Sequence, residues 1–162
     1  EKINWELLYN GIPSFIHGDL NFGNIIYNKK LDKFLLIDWR QDFAEQIEFG
    51  DLYYDVAKLY GGILLNYDFI KKGLFKATQD GDELSMDFEK IPNYTTYVEI
   101  LEEFIKSNDM DKKTVLFLVG LIYINMAPLH HQPFNFLLIG LGTKILNDLI
   151  HKSDYNCESN KK

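Results

Sequence analysis

Two short apolar segments in the first quarter of the chain constrain its fold more than any other feature. Residues 24–27 (Asn-Ile-Ile-Tyr) and 33–37 (Lys-Phe-Leu-Leu-Ile) are rich in residues that favour β-strands, and residues 28–32 between them supply a turn. This pattern predicts a β-hairpin, whose two open ends lie side by side. We therefore expect Asn24 at the start of one strand and Asp38 after the other to be neighbours.

A polar block directly before the hairpin adds a second acid. Its sequence is His-Gly-Asp-Leu-Asn-Phe-Gly-Asn over residues 17–24, which places Asp19 five residues before Asn24. Mg²⁺ prefers hard oxygen ligands, and phosphoryl transfer also needs a carboxylate that faces the attacking hydroxyl. A single loop Asp or Asn is more often a turn former. Asp19, Asn24 and Asp38 together are interpreted as a candidate phosphate-and-metal site.

The remainder of the chain predicts a fold that is mainly α with small β-hairpins (α+β). Apolar residues at three- and four-residue spacing predict a helix with Asp51 as its N-cap, and Asp80-Gly81 predicts a second hairpin. The same spacing predicts three further helices, at residues 94–106, 111–127 and 133–150. We expect one lobe over residues 1–152 and a polar, disordered tail over residues 153–162.

Charge and apolar content narrow the partners and the location. The chain has 24 acidic and 17 basic residues, which argues against nucleic acid as a partner, since phosphate backbones require clustered Lys and Arg. Its most apolar segment, residues 115–126, is shorter than the roughly 20 residues that cross a bilayer, and no signal peptide is visible. The single cysteine, Cys157, fits a reducing compartment. We expect a cytoplasmic protein that binds neither nucleic acid nor a membrane.

Three motifs in a fixed order give the chain a family resemblance. They read H-x-D-x-x-x-x-N over residues 17–24, I-D-W over residues 37–39, and G-D-L-Y-Y-D-V-A over residues 50–57. This set resembles the aminoglycoside phosphotransferase and choline kinase family, which has a protein-kinase-like fold. The motif-bearing part covers residues 15–59, and the helical remainder agrees with the family in character only. The resemblance implies the C-terminal, catalytic lobe of that fold.

The resemblance also implies a role for individual residues. Asp19 would be the catalytic carboxylate that faces the acceptor hydroxyl. Asn24 and Asp38 would bind Mg²⁺ and, through it, the phosphates of ATP as phosphoryl donor. His17 would brace the loop through hydrogen bonds, and the carboxylate of Asp55 would accept backbone N–H groups of the same loop.

Arg40 departs from the family pattern, because the family often carries Glu at this position. Two roles stay open for it: contact with phosphate or with an anionic acceptor, or a structural ion pair with Asp42 or Glu45. Asp-x-Arg variants of the motif resemble phosphotransferase-like proteins linked to bacterial surface-polysaccharide synthesis. That similarity favours a sugar or a sugar phosphate as acceptor.

A second departure concerns the nucleotide. A kinase needs a lobe with a phosphate-covering loop and a strand lysine, and no such glycine-rich motif stands in this sequence. We therefore expect an N-terminal lobe in the parent chain and an inactive isolated C-terminal lobe. The predicted activity is Mg²⁺-dependent transfer from ATP (or GTP) to a hydroxyl of a small molecule, such as a sugar, an aminoglycoside or a choline-like compound. The alternative is a non-catalytic, pseudokinase-like binding or scaffold module.

Overall fold

The computed structural model describes residues 5–158, and side chains over residues 5–151. This part of the chain contains five α-helices and six short strands: β1 (Pro13–Ser14), β2 (Ile25–Asn28), β3 (Lys33–Leu36), β4 (Gly50–Asp51), α1 (Leu52–Leu64), α2 (Tyr67–Lys71), β5 (Phe75–Asp80), β6 (Glu83–Phe88), α3 (Tyr94–Ser107), α4 (Lys112–Met126) and α5 (Phe134–Glu158). Together with three short 3-10 turns, the helices of the described part make up about 51% of the chain, and its strands form three two-stranded antiparallel sheets. The predicted α+β class is confirmed.

Both predicted hairpins form. In the first, Ile25 pairs with Leu36 and Asn28 pairs with Lys33. The second, β5–β6, is longer than predicted because its pairing continues to Asp80, next to the turn glycine Gly81, whose φ is +57°. That left-handed conformation is easy for glycine, which explains why the Asp-Gly pair marks the turn.

The start of α1 is fixed by Asp51, the predicted N-cap. Its side-chain oxygen Oδ1 accepts the N–H of Tyr53 at 3.0 Å and the N–H of Ile12, also at 3.0 Å. Strand β1 pairs with β4, so Pro13 lies opposite Asp51. The segment that leads into the polar block is thereby attached to the first turn of α1.

Helices α1, α4 and α5 form the centre of the core, with α4 packed against both of the others. Val115, Leu137 and Leu138 are completely buried there. At the crossing of α4 and α5, a Cβ on Gly142 would lie 2.7 Å from the carbonyl oxygen of Gly120, so only glycine allows this approach. A hydrogen bond also joins α4 to α1, because the Tyr123 hydroxyl donates to the Gly61 carbonyl oxygen at 2.7 Å. The helix that carries the site residues is thus anchored in the core.

Among the described residues, one segment is long and apolar enough to cross a membrane by length and composition alone. It is Lys112–Leu129, with a mean hydropathy of 1.3. The sequence estimate considered only residues 115–126, whereas the helix and the 3-10 turn after it are longer. A central core helix has the same properties, and α4 lies between α1 and α5, so the segment is weak evidence for a membrane. The absence of a membrane partner stays a prediction.

Two further features differ from expectation. The short helix α2 was not predicted; Asn66 caps it by accepting the N–H groups of Asp68 and Phe69. Helix α5 continues to Glu158, because the polar residues after position 150 include neither Pro nor Gly to end it. Six residues of the predicted tail, 153–158, are therefore helical, and the last four, 159–162, lie outside the described residues.

Candidate active site

One buried carboxylate holds the polar block against α1. Asp55, in the first turn of that helix, is 5% exposed. Its Oδ2 accepts the N–H of His17 at 2.6 Å, and its Oδ1 accepts the N–H of Gly18 at 2.9 Å. Gly18 has a φ of +79°, and a Cβ there would lie 2.7 Å from the Cβ of Arg40. These are the contacts that the bracing role of Asp55 requires.

The imidazole of His17 connects the polar block to the far end of the hairpin. Its Nδ1 accepts the N–H of Asp19 at 3.2 Å, and its Nε2 lies 2.8 Å from the carbonyl oxygen of Ile37. Because Nδ1 is an acceptor, the ring proton is assigned to Nε2, which donates to Ile37. The ring is buried and its centroid lies 4.8 Å from that of Trp39. His17 therefore fixes the position of Asp19 relative to the residue before Asp38.

The hairpin brings Asn24 close to Asp38. The N–H of Ile37 donates to the carbonyl oxygen of Asn24 at 3.0 Å, which extends the strand pairing by one residue. Asp38 follows with a φ of +60°, a left-handed conformation that Asp and Asn adopt more readily than other non-glycine residues. Its carboxylate is exposed and has no hydrogen bond or ion pair within the described part of the chain. It is free to accept a ligand.

Two side-chain amides converge on Asp19. Nδ2 of Asn24 lies 3.0 Å from the carbonyl oxygen of Asp19 and 3.2 Å from its Oδ2. Nδ2 of Asn21 makes the same pair of contacts at 3.1 Å and 3.2 Å. With its nitrogen turned toward Asp19, Asn24 keeps its Oδ1 without a partner among the described residues. An amide oxygen and the Asp38 carboxylate are therefore both available at the hairpin end.

The charge state of Asp19 is set by its neighbours. Burial raises the pKa of this carboxyl, but hydrogen bonding and attraction from Lys58, the charge of Arg40 and the hydrogen bond from Asn21 outweigh burial. The pKa of Asp19 consequently lies below its ordinary value of 3.8. At neutral pH this carboxylate is therefore ionised, and an ionised carboxylate can orient a hydroxyl by accepting a hydrogen bond from it.

Lys58 was not among the residues predicted from the sequence. Its Nζ lies 2.7 Å from Oδ1 of Asp19, and its side chain is only 12% exposed. Lys58 follows Asp55 by three residues, so both side chains lie on the same side of α1. The available signal was a lysine inside the otherwise apolar segment of residues 56–60. A lysine that is mostly buried in such a segment requires a partner of opposite charge.

A cavity of about 340 Å³ opens beside Asp19. Side chains of α1 and α4 give it an apolar floor that includes Ile122 and Met126. Tyr67 of α2 forms part of its wall; burial raises the pKa of this phenol, and the charge of Asp19 raises it further. The cavity therefore offers a partly apolar surface directly next to the candidate catalytic carboxylate.

Arg40 lies at the edge of this cavity. Its backbone N–H donates to the carbonyl oxygen of His17 at 3.0 Å, which fixes its position beside the polar block. Within the described residues the guanidinium makes no ion pair, and in particular none with Asp42 or Glu45. Of the two roles that the sequence leaves open for Arg40, the structural ion pair is not formed among the described residues.

The candidate metal ligands form a sparse set. No group of three or more His, Cys, Asp and Glu side chains within the described residues is arranged to hold a metal ion. Asn24 and Asp38 together provide one amide oxygen and one carboxylate. Such a pair would hold Mg²⁺ if phosphate oxygens of the substrate and water supplied the remaining ligands.

Comparisons with known proteins add no identification. A scan against protein-family models, a search of curated proteins and a search of solved structures all give no match. The family resemblance depends on the three ordered motifs alone.

Proposed function

We propose that this chain is the catalytic, C-terminal lobe of a protein-kinase-like phosphotransferase, which transfers a phosphoryl group from ATP to a hydroxyl of a small molecule. One observation carries the proposal. Asp19, Asn24 and Asp38 are brought to the open end of one hairpin, and Asn24 Oδ1 and the Asp38 carboxylate have no partner within the described residues. Oxygen donors left free next to an oriented carboxylate are what this chemistry needs.

Each residue has a distinct task in the proposed reaction. Asp19 orients the attacking hydroxyl, whose oxygen forms a bond to the γ-phosphorus while the bond from that phosphorus to the bridging oxygen breaks. The hydroxyl proton passes to the Asp19 carboxylate, and ADP leaves with the bridging oxygen. Asn24 and Asp38 would hold Mg²⁺, which would neutralise part of the phosphate charge when bound. His17 and Asp55 keep the loop in place.

The exposed apolar surface of the first hairpin favours the proposal that a second lobe packs against this chain. Ile26 and Leu35 lie opposite each other in the strand pairing and so share one face of the hairpin; they are 46% and 58% exposed, although both are large and apolar. A nucleotide-binding lobe packed on this face would bury them and would cover the hairpin end that carries Asn24 and Asp38. For this reason we expect the chain alone to bind Mg²⁺–ATP weakly or not at all in calorimetric titration. A micromolar Kd would contradict this account of the nucleotide site.

The non-catalytic alternative, a binding or scaffold module, also has an observation in its favour. Lys58 occupies Oδ1 of Asp19 at 2.7 Å, so the carboxylate is already paired. In that case the exposed hairpin would serve only for docking. The two functions differ in whether metal binds at the hairpin end and in whether phosphoryl transfer depends on Asp19.

A paramagnetic titration tests the metal site. Mn²⁺ replaces Mg²⁺ in oxygen sites, and in a longer chain that includes a nucleotide-binding lobe it should, in the presence of ATP, broaden the amide signals of Asn24 and Asp38 before others in the NMR spectrum. Asp38→Asn should remove this selective broadening. Asp82→Asn, at the exposed turn of the second hairpin, serves as the matched control and should preserve it. Uniform broadening in all three chains would contradict a metal site at Asn24 and Asp38.

A transfer assay tests the role of Asp19. In a longer chain that includes a nucleotide-binding lobe, Asp19→Asn should abolish phosphoryl transfer while the circular dichroism spectrum stays the same. The amide keeps the size of the side chain and removes the charge that accepts the proton. Full transfer activity in this variant would eliminate Asp19 as the catalytic carboxylate.

A further inference from the structure

The charged side chains around the cavity beside Asp19 are mainly positive, whereas the chain as a whole is negative. The sequence has 24 acidic and 17 basic residues, yet the charged side chains that line this cavity are two cations, Arg40 and Lys58, and one carboxylate, Asp19. A neighbouring groove of about 470 Å³ shares Arg40 and Lys58, and no acidic residue lines it. The local excess of positive charge therefore lies where an acceptor would bind.

The two cations differ in whether an ion pair already neutralises their charge. Lys58 is mostly buried and donates to Asp19, whose negative charge neutralises it. Arg40 is exposed, and its guanidinium has no ion-pair partner within the described residues. Its stem packs against Gly18 and its backbone N–H is bonded to His17. Arg40 thus presents a fork of N–H donors that no ion pair among the described residues occupies, as recognition of a carboxylate or a phosphate requires.

We infer that the acceptor bound in this cavity is a hydroxyl compound that also carries an anionic group, a carboxylate or a phosphate, and that this group pairs with Arg40. The inference rests on the proposed function in one respect, which is that Asp19 faces the acceptor hydroxyl. The apolar floor formed by Ile122 and Met126 would contact the carbon skeleton of the acceptor. Of the acceptor classes considered above, this selects acidic sugars and sugar phosphates.

A cationic acceptor fits the same cavity poorly. An aminoglycoside or a choline-like compound would need a free carboxylate or an uncharged aromatic cage. The one carboxylate that lines the cavity, Asp19, is already paired with Lys58, and Arg40 would repel a second cation. The charge of the acceptor can therefore be tested separately from phosphoryl transfer.

The test measures binding of matched sugars to the chain without nucleotide. Glucose 6-phosphate and glucuronate are the anionic probes, glucose is the neutral one and glucosamine the cationic one; all share a hydroxyl-bearing ring. Binding is followed by NMR through the methyl signals of Ile122 and Met126 at millimolar probe concentrations. We expect at least one anionic probe to bind about tenfold more tightly than glucose, the size expected for a charge-assisted pair in a partly open site. Glucosamine should bind most weakly.

Substitutions test whether Arg40 produces the preference for anionic sugars. Arg40→Gln keeps a stem against Gly18 and should reduce the anion preference about tenfold, whereas Arg40→Lys should retain part of it. Lys113→Gln is the control, because Lys113 is an exposed cation of α4 that does not line the cavity. The two anionic probes distinguish the sources of the charge, since phosphate and carboxylate differ in geometry. Thermal melting of each variant verifies that it is folded.

Several outcomes would overturn the inference. Equal binding of all four sugars, a preference for glucosamine, or no methyl shift with either anion would each contradict an anionic acceptor. A preference that survives in Arg40→Gln would contradict the assignment to Arg40. None of these measurements involves phosphoryl transfer, so a negative result would not contradict the proposed function. Conversely, an active Asp19→Asn enzyme would contradict the proposed function without changing the measured charge preference.

Discussion

The two β-hairpins of this chain share the same antiparallel topology, and they differ in what surrounds them. In β5–β6, Ala77 is buried, and Phe75, Met86 and Phe88 pack against the main core. Both of these strands also contact α5. In β2–β3, no residue is buried, and Phe34 is 71% exposed. One hairpin is covered by the core and the other projects from it.

The comparison shows that the two hairpins are held by different forces. Apolar burial holds β5–β6. An isolated two-stranded hairpin is only marginally stable in water, so β2–β3 depends on the polar contacts at its open end. Those contacts are the hydrogen bond between Ile37 and Asn24, the bond from His17 to Ile37, and the attachment of the polar block to Asp55. The candidate site is therefore positioned mainly by hydrogen bonds.

The largest expected effect comes from removing the polar anchor of the site. Asp55→Ala should lower the free energy of unfolding by about 3 kcal/mol, because two buried N–H groups lose their acceptor. Urea denaturation followed by circular dichroism measures this loss. Asp55→Asn, which keeps one acceptor oxygen, should cost less. Asp82→Ala, at an exposed turn, should stay within about 0.5 kcal/mol of the wild type. Equal stability of Asp55→Ala and Asp82→Ala would contradict the anchoring role.

The same substitution in both hairpins should give the next largest effect. Phe75→Ala removes a ring that packs against the core and lies 5.8 Å from the ring of Phe134, and should cost about 2 kcal/mol. Phe34→Ala removes an exposed ring whose contact is Tyr27 at 5.2 Å, and should cost about 0.5 kcal/mol. Chemical denaturation of the two variants compares them directly. Similar costs would mean that the hairpins do not differ as described.

The smallest effect concerns the ion pair within the site. The pKa of Asp19 in the folded chain lies below 3.8, so the charged form contributes stability above that pH, and this contribution is lost as the pH falls through the folded pKa. Lys58→Met should raise the pKa of Asp19 and lower stability at neutral pH by less than about 1 kcal/mol, since the pair is partly exposed. NMR titration of the Asp19 carboxyl gives the pKa. The stability difference from wild type should shrink below pH 3.8, and a difference that grows there would contradict the ion pair.

Local sequence patterns predicted the features that depend on adjacent residues. The two hairpins, the N-cap Asp51 and the long helices are of this kind, because turn chemistry and apolar spacing act over a few residues. Whether another part of the chain packs on a hairpin could not be predicted in the same way. Alternating residues indicate which side chains share a face of a strand, and they do not indicate whether anything packs on that face. The exposure of β2–β3 therefore became visible only in the structure.

Helix α3 teaches the same lesson. Its aromatic and aliphatic residues recur at helical spacing, and this pattern alone favours a core role for Tyr97 and Phe104. In the structure Ile105 is buried, whereas Tyr97 and Phe104 are 45% and 44% exposed. Contacts between distant segments were equally inaccessible: the pairing of Lys58 with Asp19 depends on how α1 meets the polar block. Neighbours in sequence suggested Asp42 or Glu45 for Arg40, and neither pairs with it.

The left-handed backbone of Asp38 reverses the usual ranking of conservative replacements at that position. Glutamate keeps the charge and would ordinarily be the mildest change, yet it lacks the short side chain that makes a φ of +60° tolerable for aspartate. Asparagine removes the charge and accepts this conformation. Asp38→Glu should therefore disturb the hairpin end more than Asp38→Asn does, and only the second separates the loss of a ligand from the loss of shape. In a set of related chains, backbone shape alone would favour aspartate, asparagine and glycine at this position.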